Sequence, residues 1–310
     1  MLSVFQSIFP IILIAMLGYA LASRRWMSVS DIDGLSRFVF SLALPFLLFD
    51  SLVNSVLPET FDWDFFLAFY GVSFLIFGLG IFVGRRWFNL LPAEQAVFGL
   101  GASYSNLVII GLPVISTGLG DQAVFPLLAL VSIQSLLLFP LVSLFSYPND
   151  PGTRLVWRLW GPIKRAATNP LTIGLALGFL VRIFSIQVPL LIEEPIHLVS
   201  QTGLPCALIV LGASFYRYRV GKPNREAFTL VGLKMVLQPL LVWVLVFVVM
   251  RLDPLWASVA VMAAGMPTGI NVYVMAEREA AGHRFVSAAI WMSTLLAVIT
   301  QAGLLAFFIS

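Results

Sequence analysis

The sequence predicts an all-α integral membrane protein of ten spanning helices, built as two inverted five-helix repeats whose fourth and ninth spans are broken and cross near the bilayer midplane. Three observations predict it. Of 310 residues, 60% are hydrophobic and 11% charged, with a mean hydropathy of +0.98, far outside the range of soluble domains. Short motifs recur at a fixed spacing of 160 residues. Two of the apolar runs carry loop punctuation in their middles.

Runs long enough to span a bilayer occur at 4–22, 34–57, 65–84, 95–119, 122–146, 169–187, 189–215, 227–250, 254–276 and 285–308. The first ends in Ala20-Leu21-Ala22, which imitates a signal-peptidase site. Its basic residues, Arg24 and Arg25, follow the apolar core, as expected of a retained helix. The seventh run has the most crowded start, with Pro189, Glu193, Glu194 and Pro195.

Charge sets the orientation. With the first loop cytoplasmic, the inner loops hold Arg24, Arg25, Arg85, Arg86, Arg154, Arg158, Lys164, Arg165, Arg217, Arg219, Lys222, Arg225, Arg278 and Arg284. The outer loops hold Arg182 and Arg251 beside Glu59, Asp62, Asp64, Asp121, Glu193, Glu194 and Asp253. Both termini are therefore expected outside, in the inner membrane of a cell with two membranes. Trp26, Trp63, Trp87, Trp157, Trp160 and Trp256 flank the spans as an aromatic belt would. A net charge of +3 falls in these short clusters, so no nucleic-acid surface is read from it. The single cysteine, Cys206, excludes a disulfide framework and a thiolate metal site.

The repeat organises the chain. Pro10 and Pro170, Gly18 and Gly178, and Leu44-Pro45 and Leu204-Pro205 are each 160 apart, while Gly111-Leu112-Pro113-Val114 and Gly269-Ile270-Asn271-Val272 are 158 apart. An odd number of spans per copy inverts the second copy, so the expected units are 1–146 and 169–310, joined by a cytoplasmic linker at 147–168.

Spans 4 and 9 carry the chemistry. Pro113 removes a backbone donor and Gly111 weakens the helix, so the second half of span 4 is expected to open at Pro113. Freed N–H groups at such a break suit an anion and freed carbonyls a cation. Ser105, Asn106, Gly111, Pro113, Thr268, Gly269 and Asn271 are the candidate substrate residues; the competing reading is that they only repair the interrupted backbone. Lys234 and Asp50 are ionisable residues inside spans. Lys234 either compensates substrate charge, stands where a coupling cation would, or partners a helix terminus; Asp50 is the second candidate for coupling or charge compensation, with a structural role as its favoured reading. Gly118-Leu119-Gly120-Asp121 imitates an intramembrane aspartyl protease motif, with Asp50 as second carboxylate, although Asp121 falls at the outer loop. His197 and His283 read as isolated, and neither a zinc motif nor a nucleotide-binding loop occurs, so no metal or cofactor is expected.

Leu17-Gly18-Tyr19, Ala43-Leu44-Pro45-Phe46-Leu47-Leu48-Phe49, Ser105-Asn106 with Gly111-Leu112-Pro113, Leu233-Lys234-Met235-Val236-Leu237-Gln238-Pro239 and Met266-Pro267-Thr268-Gly269 resemble, in order and placement, the auxin efflux carrier family. The short linker resembles its compact bacterial members. The resemblance implies a ten-helix fold like that of bile acid sodium symporters, with spans 3–5 and 8–10 as a mobile transport unit and spans 1, 2, 6 and 7 as a scaffold and dimer interface. It implies a small organic anion as substrate, an aromatic carboxylate as in plants or a malonate-like dicarboxylate as in bacteria, moved by an elevator cycle. Asn106 and Pro113 carry over to the first crossing; the plant exporters place a proline about where this chain has Asn271. An anion channel and a binding protein without flux are the other classes compatible with these residues.

Overall fold

The computed structural model describes residues 2–56, 62–146, 155–217 and 223–309. Glu59, Arg154, Arg219, Lys222 and the first part of the expected linker, 147–154, lie outside them. Among the described residues every regular element is helical, apart from one isolated β-bridge. We number the helices α1 (Leu2–Ser23), α2 (Val29–Val53), α3 (Trp63–Phe88), α4 (Pro92–Ser103), α5 (Leu107–Leu119), α6 (Asp121–Ser146), α7 (Leu155–Ala167), α8 (Pro170–Ile183), α9 (Leu190–Arg217), α10 (Arg225–Val249), α11 (Pro254–Ala264), α12 (Asn271–Arg278) and α13 (His283–Ile309).

Six of these, α2, α3, α6, α9, α10 and α13, are long and apolar enough to cross a membrane, and a seventh span results if α7 and α8, bent by 63°, count as one. The other runs appear as shorter apolar helices over 9–23, 107–119 and 254–264. The shortfall at spans 4 and 9 has a direct cause: the chain leaves the helix at 104–106 and again at 265–270. The crowded start of the seventh run does not break it. Pro195 and Pro205 both lie inside the continuous α9.

Prolines shape the long helices in a recurring way. A π-helical turn ends two residues before Pro45 (Val39–Ala43), before Pro113 (Leu107–Gly111) and before Pro239 (Leu233–Leu237). A proline ring collides with the carbonyl four residues earlier, and a widened turn just ahead makes room for it without ending the helix. Pro113 therefore sits inside α5, and the second half of span 4 opens at Leu107, six residues earlier than the sequence predicts.

Close packing relies on small residues, as expected where lipid offers no competing hydrophobic drive. A Cβ on Gly212 would stand 1.8 Å from the Ala15 carbonyl oxygen, and one on Gly18 2.1 Å from that of Ile209. Backbone contact at both points fixes α1 against α9. Helix α8 packs on α2, and α3 on α4. Around the interrupted helices lies one continuous apolar core that includes Phe65, Phe69, Phe98, Leu100 and Ile115.

Candidate functional site

The two interruptions meet. Helix α4 ends at Ser103, and Tyr104 is extended (φ −91°, ψ 116°). The Asn106 N–H donates to the Pro267 carbonyl at 2.9 Å, and the Gly269 N–H donates to the Tyr104 carbonyl at 3.0 Å, forming an antiparallel bridge between Ser105 and Thr268. Each interruption thus supplies the backbone partner the other lost, a necessity in an apolar interior. Gly269 stands opposite Tyr104 and Asn106 opposite Pro267, so Gly111 takes no part in the pairing that its Gly-Ile-Asn-Val echo makes. Only glycine fits at 269: a Cβ would lie 2.7 Å from Tyr104 Cδ1 and 3.3 Å from the Ser105 carbonyl oxygen.

Buried side chains complete the repair. Gln134 Nε2 on α6 donates to the Ser105 carbonyl at 2.9 Å. Thr268 donates from Oγ1 to the Gly101 carbonyl (3.1 Å), and its N–H donates to Ser293 Oγ (3.1 Å). Helix α10 serves both half-helix ends. Gln238 Nε2 donates to the Ser103 carbonyl at 3.2 Å and to Ser73 Oγ at 3.1 Å, and Lys234 Nζ donates to the Ala264 carbonyl at 2.5 Å. Lys234 is fully buried, with its Nζ at the carbonyl end of α11, where it satisfies an acceptor the helix leaves open. Of its three sequence readings, this geometry is that of the helix-terminus partner.

In front of the bridge lies a cavity of about 50 Å³ between α2 and α8 on one side and the crossing and α6 on the other. It has room for a few waters. Ser105, Asn106, Gly269 and Asn271 line it, as do Tyr104, Gln134, Ser135, Asn169 and Thr172, which the sequence reading did not single out. Asn271 Nδ2 donates to the Tyr104 hydroxyl (3.1 Å), leaving that hydroxyl's proton for Ser135 Oγ at 2.7 Å. Three buried atoms here have no partner: Ser105 Oγ, Asn106 Nδ2 and Gln134 Oε1. A polar atom withdrawn from water without a partner costs about 1–3 kcal/mol, and in a native fold each such group calls for an explanation.

The remaining candidates lie elsewhere. Thr268 is wholly buried behind the bridge, and Gly111 and Pro113 lie further along α5. Asp50 ties α2 to α9: its Oδ2 accepts from Ser200 Oγ at 2.6 Å and lies 2.9 Å from His197 Nδ1, and its Oδ1 accepts from Asn54 Nδ2 at 2.9 Å. His197 is therefore not isolated, as its sequence context suggests. Asp121 is exposed in a short turn after Gly120 (φ 84°), while the Asp50 carboxylate is occupied by these α9 and α2 side chains. A larger cleft of about 320 Å³ between α1, α5, α9 and α13 is lined almost wholly by apolar side chains, unsuited to a charged solute.

The model of a family described as membrane transport protein matches residues 3–155 and 158–305. The chain belongs to that family. It is 26% identical to a putative malonate transporter of Rhizobium meliloti (strain 1021), over 96% of this chain and 93% of the relative. It is 22% identical to an uncharacterized transporter of Methanothermobacter thermautotrophicus, over 95% of each chain, and 23% identical to the uncharacterized transporter YfdV of Escherichia coli K12, over 94% and 93%. These relatives are transporters, not enzymes, and the family resemblance read from the motifs holds along the whole chain. The chain is a multi-pass membrane transporter, and its substrate is a small molecule.

Proposed function

We propose that this transporter carries a small organic anion, a malonate-like or aromatic carboxylate, bound at the crossing in front of Ser105 and Thr268. The observation that carries the reading is the group of unpaired buried polar atoms, Ser105 Oγ, Asn106 Nδ2 and Gln134 Oε1, around a cavity at the mouth of a half-helix N-terminus. N–H groups in the first turn of a helix have no intrahelical partner, and their partial positive charge suits an anion. Asn106 contacts the solute directly, Ser105 and Asn271 shape the cavity, Gly269 permits the close crossing, and Lys234 and Asp50 hold helices in place.

Ten spans in two inverted repeats, 1–146 and 169–310, account best for the pairing pattern. Helix α1 packs on α9 as α8 packs on α2, and the residues matched at a spacing of 160 fall on those four helices. The bridge hydrogen bonds are themselves related by a pseudo-twofold exchange of the two segments. In this reading α1, α2, α8 and α9 form a scaffold that dimerises, and the crossing with α3, α6, α10 and α13 moves against it. Because the cavity straddles the two units, sliding one past the other widens it to admit ligand and turns it to the opposite face. The basic loops lie in the cytoplasm and both termini outside.

Uptake of labelled malonate and indole carboxylates into proteoliposomes tests the reading. A carboxylate taken up against a control lacking protein, with uptake lost in Asn106→Ala, supports it. Single-channel conductance that ignores the same substitution would establish a channel instead.

A further inference from the structure

The polar atoms around the cavity specify more than an anion. Gln134 cannot rotate its amide freely in the hydrogen-bonding sense: the Ser105 carbonyl can only accept, so Nε2 must face it at 2.9 Å and Oε1 is left to find another partner. That Oε1 is buried and unpartnered in a residue 3% exposed. Opposite in sense are Asn106 Nδ2, a donor in a residue 5% exposed, and the Ser105 hydroxyl, 1% exposed. The site therefore offers donors and one fixed acceptor, and an acceptor-only ligand leaves Gln134 Oε1 unsatisfied.

Charge limits the ligand as well. None of the described residues lining the cavity is Asp, Glu, His, Lys or Arg, and Lys234 Nζ is turned to the Ala264 carbonyl. What remains is the N-terminus of α5, equivalent to roughly half a positive charge. Both half-helix starts already use part of this potential: the Leu107 N–H donates to the Ser105 carbonyl at 3.0 Å, and on α12 the Val272 and Tyr273 N–H groups donate to the Gly269 and Ile270 carbonyls at 3.0 and 2.9 Å. Half a charge and two neutral donors can hold one carboxylate; a second buried negative charge would meet no cationic side chain among the residues lining the cavity, at a cost of several kcal/mol.

Building on the reading of the crossing as the substrate site, we propose that it takes a monoanion carrying its own hydrogen-bond donor. For a dicarboxylate this is the half-protonated species, with the carboxylate on Asn106 and Ser105 and the carboxylic O–H on Gln134 Oε1. The proton then crosses the membrane on the substrate, and no side chain has to titrate in the cycle.

Three ligand types per chain length separate the requirements: malonate and succinate, their monoamides (one charge, one donor) and their monomethyl esters (one charge, no donor). Thermal stabilisation of the full-length purified protein reports binding of each. Between about pH 5 and about pH 8 the monoamide should bind with constant affinity, while the dicarboxylate should weaken by about tenfold per pH unit once the dianion dominates. The monoester should bind about tenfold more weakly than the monoamide, the effect of one buried acceptor left unpaired. Gln134→Leu should abolish the preference of monoamide over monoester, a ratio insensitive to any general loosening of the crossing.

Equal dicarboxylate affinity at both ends of the pH range, or equal binding of ester and amide, overturns the donor requirement. If stabilisation is still lost in Asn106→Ala, the substrate site itself survives that result. If no carboxylate of any type stabilises the protein, the site reading falls with it.

Discussion

Replacing Gly269 by alanine tests the crossing at its tightest point. The added methyl would lie 2.7 and 2.9 Å from Tyr104 Cδ1 and Cε1 and 3.3 Å from the Ser105 carbonyl oxygen. The first two distances are shorter than real Cβ contacts, so the ring must move. It is poorly placed to do so. Tyr104 is 5% exposed, stacks on Phe139 with centroids 5.3 Å apart and planes at 16°, and its hydroxyl is held by Asn271 and Ser135. Overpacking of a filled interior costs about 1–3 kcal/mol, or about 5- to 150-fold in an equilibrium constant. Because Asn271 and the bridge move with the ring, the same displacement should reach the cavity and weaken ligand binding. The assay is thermal unfolding in detergent with and without ligand, for Gly269→Ala, Tyr104→Leu and the double variant. Removing the ring removes the clash, so the double variant should be more stable than the sum of the singles by about 1 kcal/mol or more. Additive effects, or a Gly269→Ala protein as stable and active as the parent, would refute the packing argument.

Asp50→Ala leaves His197, Ser200 and Asn54 without their shared acceptor and should lower stability by about 1–3 kcal/mol while leaving substrate affinity unchanged, checked by unfolding and ligand titration. Lys234→Met frees the Ala264 carbonyl; thermal stability should fall by a similar amount, and transport per folded molecule should persist. Loss of transport at unchanged stability would instead put Lys234 in contact with the substrate. Asp121→Asn should alter neither uptake nor stability by more than about 0.5 kcal/mol, as expected of an exposed residue away from the cavity.

The interrupted spans were legible because Pro, Gly, Ser and Asn rarely gather inside an apolar run without a reason. The point of interruption was not. Pro113 marks the place where a helix loses a donor, but a π-turn at Leu107–Gly111 absorbs the ring, and the chain departs instead at Tyr104–Asn106, where the other segment offers bonds. That choice is made by tertiary pairing, which no local signal encodes. Asn106, Ser105, Gly269 and Asn271 were readable as cavity residues from their position beside the breaks. Gln134 was within reach, being a primary amide inside the apolar run 122–146, yet its role depends on facing the Ser105 carbonyl. The union of Asp50 with His197 depends on packing between α2 and α9, and each alone looks like an unrelated polar residue.

Asn106 carries the proposed site, with its Nδ2 buried and without a partner in the fold. Ligand-dependent thermal stabilisation should therefore be measured for the parent and Asn106→Ala across mono- and dicarboxylates. A carboxylate should raise the parent's midpoint, and Asn106→Ala should keep the parent's ligand-free stability but lose the ligand effect. Undiminished stabilisation in Asn106→Ala would contradict the proposed site.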